Sequence, residues 1–149
     1  MKNLYRLDRL TLFALFLIYA FSGITAMVLA NEATPEMGRV MELVVYVVGL
    51  IIGFVIYYGI MYLILKNSEF DFQKTIFVNI AIGLIVVALL SGIVGAITNK
   101  GLNIWVKVIV GLLGNGLTIA LNWKYLQVSQ SSKIKVSILS VLSFFVSVI

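Results

Sequence analysis

The sequence predicts an all-α polytopic membrane protein, a compact bundle of five transmembrane helices. Three observations carry this. Of the 149 residues, 62% are hydrophobic and 11% charged, whereas a soluble domain is about 45–50% apolar and about 25% charged. A small soluble fold buries only roughly two-thirds of the surface of its unfolded chain, too little to hide so much apolar area. The charges also divide the chain into five apolar runs, and four of them fall within the about 17–25 residues that cross a bilayer.

The first run, Leu10–Ala30, follows "MKNLYRLDR". It ends in "VLA", like a cleavable signal peptide, but its apolar stretch of about 20 residues exceeds the roughly 7–15 of a signal core. It is expected to stay as an anchor helix. "NEATPEMGRVME" then offers Thr34-Pro35 as N-cap and first helical position, before the second run, Leu43–Leu65. "KNSEFDFQK" reads as an interfacial turn into the third run, Thr75–Asn99. The fourth, residues 102–123, is interrupted only by Lys107. Trp105 and Trp123 are 18 residues apart, about 27 Å of helix, and so read as anchors at the two membrane interfaces, with Lys107 snorkelling near one of them. "KYLQVSQSSKIK" reads as a basic connector on the lipid headgroups. The fifth run, within residues 134–149, is short. Four spans plus a short interfacial C-terminal helix is therefore the alternative architecture.

Lysine and arginine set the orientation. Five spans place Lys2, Arg6, Arg9, Lys66, Lys74, Lys124, Lys133 and Lys135 on one side, and Arg39, Lys100 and Lys107 on the other. The excess predicts a cytoplasmic N-terminus and an outward C-terminus. The net charge of +5 is thus a topology signal, and nucleic acid is not expected as a partner.

The chemistry is sparse. With no cysteine and no histidine, disulfides, thiolate chemistry, Cys/His metal sites and histidine proton shuttling are excluded. The runs contain no Asp or Glu, Glu42 standing at a boundary, so the usual mark of an ion pathway is lacking. No nucleophile–base pair, carboxylate pair or phosphate-cradling loop is present. Neither an enzyme nor a cofactor is expected.

Small residues are plentiful instead. Gly49 and Gly53 make a GxxxG face in the second run. Ala88, Gly92 and Ala96 recur in the third, with Ser91 and Gly95 alongside, and Ser22 and Ala26 in the first. In the fourth, "VGLLGNGLTIALNW" sets Asn115 between Gly114 and Gly116, one turn after Gly111. Two readings compete there. The glycines either break the helix and expose carbonyls to a solute, or let a neighbouring backbone approach while the amide bonds across to it. No second interrupted segment exists, so packing is favoured. Asn79 is the next internal polar candidate, and the tyrosines of "YYGIMY" (57–62) read as interfacial anchors.

"YLILKNSEFDFQKTIFVNIAIGLI" and "IWVKVIVGLLGNGLTIALNWKYLQVSQSSKIKVSILSVLSFF" resemble the Yip1-domain family of small five-span membrane proteins over roughly the second half of the chain. The resemblance implies a non-enzymatic partner protein in a bacterial cell membrane, as an accessory subunit of an ABC exporter or as an antimicrobial-peptide resistance or immunity protein. The expected function is lateral helix packing in the bilayer with another membrane protein or a second copy. The alternative is a small-solute transporter or channel with its site around Asn115.

Overall fold

A computed structural model describes residues 8–30, 38–67, 69, 71–98 and 103–148. The expected helix start at Thr34-Pro35, the positions of Lys2, Arg6 and Lys100, and Phe70 of the interfacial turn lie outside the described residues. Those described form five helices and no strand: α1 (Arg9–Ala30), α2 (Arg39–Leu65), α3 (Gln73–Thr98), α4 (Ile104–Tyr125) and α5 (Gln130–Val148). The helices α1 to α4 are long and apolar enough to cross a membrane.

Local chemistry sets the boundaries. Asp8 starts α1, its Oδ1 accepting from the Thr11 backbone N–H at 3.0 Å and from the Thr11 hydroxyl. These bonds hold the Asp8 carboxyl below its usual range. Asn103 caps α4 by accepting from the Trp105 N–H. The α2–α3 turn passes through Asp71 at φ 53°, a left-handed conformation that aspartate tolerates better than most residues. α5 starts earlier than the sequence suggests: residues 130–135, expected as connector, are helical. Ser129 supplies the cap, its Oγ accepting from the Ser132 N–H at 3.3 Å. α2 likewise begins at Arg39, which puts Glu42 in its first turn, buried. An acid there suits the positive end of the helix dipole.

Cross-contacts fix the topology. Asp8 interacts electrostatically with Lys74, and Gly92 packs on Ala26, so α1 and α3 run parallel. α4 lies antiparallel to α3, and α5 antiparallel to α4 through Trp123–Ser137 at one end and Gly111–Phe144 at the other. α2 completes the ring between α1 and α5. One end therefore collects Arg9, Lys66, Lys74, Lys124, Lys133 and Lys135 and is called the basic end below.

The core sits toward the basic end. Met61, Leu65, Ile76, Ile80, Leu126 and Val136 are almost fully enclosed. Phe54 joins three helices, its ring edge-on to Phe16 of α1 (5.1 Å) and Phe77 of α3 (5.0 Å), an arrangement favoured by the ring quadrupoles. Glu69 ties the two connections at this end together. Its Oε1 accepts from the Ser129 N–H (3.0 Å) and the Ser132 hydroxyl (2.7 Å) at the start of α5. These bonds hold its carboxyl below the ordinary range. The clamp is thus fully present above the unfolded carboxylate pKa and is lost only as pH falls through the lowered value.

Candidate functional site

α2 is covered unevenly. Phe54, Tyr57, Met61 and Leu65 form a buried stripe at i+3/i+4 spacing, but between Val40 and Gly53 only Glu42 is buried. The half of α2 away from the basic end therefore leaves an apolar groove of about 510 Å3 between itself and α1, α3 and α5. Leu50, Phe54, Leu84 and Ser143 line it, and Gly49 and Gly53 form an exposed rim. A Cβ added to either glycine would meet nothing within 4 Å. The GxxxG face read from the sequence is thus not filled by the protein's own bundle.

Most of the other glycines read as packing residues are engaged internally. A Cβ on Gly92 would lie 3.1 Å from the Ala26 backbone, and Gly95 is also buried. On α4, Gly111 packs against the Phe144 ring and Gly114 against α3, whereas Gly116 faces open space. α4 runs unbroken from Ile104 to Tyr125. The Asn115 amide donates to the Gly111 carbonyl of its own helix at 3.0 Å, not to a neighbouring helix. Trp105 is largely exposed, and Lys107 is exposed beside it. Trp123 is half exposed, its Nε1 donating to Ser137 Oγ at 2.9 Å while Lys133 Nζ donates to its carbonyl.

The amide that does join two helices is Asn79. Its Nδ2 donates to Asn122 Oδ1 at 2.8 Å, and both side chains are fully buried. The Asn122 Nδ2 has no partner. In the sequence Asn79 stands out only after Asn115, and Asn122 is masked by the adjacent Trp123. A depth comparison finds it: Asn79 follows Lys74 by five residues and Asn122 precedes Lys124 by two, so antiparallel α3 and α4 bring them level. Tyr57 is a similar revision. It is buried, with its hydroxyl donating to Ser140 Oγ at 2.9 Å, because it lies on the core stripe and not on the headgroup side of α2.

Among the described residues, no group of three His, Cys, Asp or Glu side chains is placed to hold a metal ion. Comparison with protein-family models, curated proteins and solved structures finds no match.

Proposed function

We propose that this is a non-enzymatic integral membrane protein that acts by lateral helix packing with another membrane protein, with α2 as the contact helix. The unfilled glycine rim of α2 carries the reading. Small residues at a helix surface let a second backbone approach within dispersion range, which lipid tails do not match. Glycine also weakens a helix, by about 1 kcal/mol relative to alanine, and Gly49 and Gly53 have no neighbour inside the bundle that needs the space.

All five helices span in this reading. α5 lies beside α4 as far as the Phe144–Gly111 contact. Past Lys135 its residues 136–148 reach about 20 Å, so it crosses a core of about 30 Å where the bilayer thins around it and its lysines snorkel. Its outer face carries Ile134, Ile138, Val141, Leu142 and Phe145, all exposed, as a lipid-facing surface requires. The basic end faces the cytoplasm of a bacterial cell. The resemblance to Yip1-domain proteins suggests which partner to test: an ABC exporter, or the target of a membrane-active peptide.

Gly49→Leu and Gly53→Leu are expected to keep wild-type thermal stability, since nothing stands within 4 Å of either position, while sharply lowering recovery of the complex from native membrane in mild detergent. Undiminished recovery for both variants would sink the reading. The transporter alternative needs a wet cavity at Asn115. Cysteine introduced there, the only one in the chain, is expected to resist a water-soluble thiol reagent, because α4 is continuous and the amide closes on its own helix. Rapid labelling would favour transport.

A further inference from the structure

The corner where α4 ends and α5 begins is tied by a closed set of hydrogen bonds. The Trp123 indole Nε1 donates to Ser137 Oγ (2.9 Å), and that hydroxyl donates to the Lys133 carbonyl (2.9 Å). Lys133 Nζ returns to the Trp123 carbonyl at 3.0 Å. The ring of bonds fixes where the Lys133 ammonium stands. An ammonium has three protons to donate, and the Trp123 carbonyl uses one of them. Lys124, next in the chain, is exposed, with its Nζ 5.4 Å from the centre of the Tyr125 ring.

Among the described residues, neither ammonium is paired with a carboxylate. The acids of the basic end are engaged elsewhere. Asp8 is held by Thr11 and interacts with Lys74, while Glu69 is held by Ser129 and Ser132 and interacts with Lys135. Like charges borne on one corner repel, and an anion between them relieves the repulsion. Tryptophan at the end of a spanning helix sits at headgroup depth, where the anions within reach are lipid phosphates. A zwitterionic headgroup brings its own ammonium and gains little from the lysines. A phosphodiester without one gives them its full charge.

We infer that this corner is a binding site for the headgroup of an anionic phospholipid in the leaflet at the basic end. Lys133 donates to a phosphate oxygen with the protons that the Trp123 carbonyl leaves over. Lys124 closes on the same phosphate from the α4 side, and the Trp123 ring lies against the glycerol end of the chains. Basic pockets between helices on the cytoplasmic side are a general form of such sites. The site belongs to α4 and α5 and goes beyond the contact proposed for α2.

The full chain carrying Trp105→Phe, which leaves Trp123 as its single tryptophan, is placed in vesicles of dioleoylphosphatidylcholine. Part of the lipid is replaced by phosphatidylglycerol brominated high on its chains, or by phosphatidylcholine brominated alike, and the quenching of Trp123 fluorescence is read. Phosphatidylglycerol is expected to be preferred at the corner by about ten-fold or more. Lys124→Gln and Lys133→Gln should each lower that preference about five-fold, the worth of one lysine at an anionic surface. Lys66→Gln, which removes a charge at the same end on α2, should leave it unchanged. The Lys124 ammonium makes no hydrogen bond among the described residues, so its variant reads the site without disturbing the fold. Equal quenching by the two lipids would overturn the site, as would a preference that outlives both Lys124→Gln and Lys133→Gln. An equal loss from Lys66→Gln would also overturn it, because the attraction would then belong to the whole basic end. None of these variants touches Gly49 or Gly53, so the result is independent of the Gly49→Leu experiment.

Discussion

Gly83→Ala and Gly114→Ala are each expected to destabilise the protein by about 1–3 kcal/mol, the range for forcing extra methyl groups into a packed interior, while Gly116→Ala has no such effect. The two glycines face one another across α3 and α4. A Cβ on Gly83 would collide with Thr118 Oγ1 and stand 3.0 Å from the Gly114 carbonyl oxygen. One on Gly114 would collide with Val87 and stand 3.0 Å from the Gly83 carbonyl oxygen. Neither helix can yield without the other moving, because each glycine's obstacle includes the opposite backbone. Gly116, two residues on, meets nothing within 4 Å, and alanine there gains helix propensity. Thermal unfolding of the three variants in one detergent separates these cases. A Gly114→Ala protein as stable as wild type would show that α3 and α4 are less closely packed than described.

The buried amide pair yields the second large effect, with a built-in asymmetry. Asn79→Leu newly strands the oxygen of Asn122 and leaves its nitrogen without a partner, as it already is. Asn122→Leu removes that orphan nitrogen and takes the acceptor from Asn79. A stranded buried polar group costs about 1–3 kcal/mol, whereas interhelical hydrogen bonds in membranes average only about 0.6 kcal/mol and reach about 1.7. Asn79→Leu should therefore be the more damaging single change. The double variant should lose less than the two singles together, because the bond between the amides is then lost once and neither amide is left facing an apolar replacement. Additive losses from the three proteins, measured by the same unfolding assay, would mean that the two amides do not act as a pair.

Much of the bundle was legible because lipid imposes a simple rule: an apolar run long enough to cross reads as a helix. α1 to α4 follow it. α5 is less legible, because Lys133 and Lys135 in its opening turns give the look of a connector, while the Ser129 cap that begins it resembles any serine of a polar loop. The packing site was legible as residue type and not as direction. Gly49 and Gly53 look like Gly111 and Gly114 in sequence, yet the first pair faces a groove and the second is enclosed. What distinguishes them is coverage: α2 is buried along a stripe only from Phe54 onward, whereas α4 meets Val87 of α3 at Gly114 and Phe144 of α5 at Gly111. Gly83 and Gly23 carried no pattern around them and were passed over. Each proves to be a point where another helix's side chain presses close, Thr118 on one and Leu50 on the other.

The carboxylate of Glu69 reaches a helix that begins sixty residues downstream. During synthesis the chain emerges N-terminal end first, so this acceptor and the phenol of Tyr57 wait for the serines that complete them. Until those arrive, the phenol lacks the partner it has in the folded bundle. Seating of α5 answers both groups at once, Ser129 and Ser132 meeting the carboxylate and Ser140 the phenol.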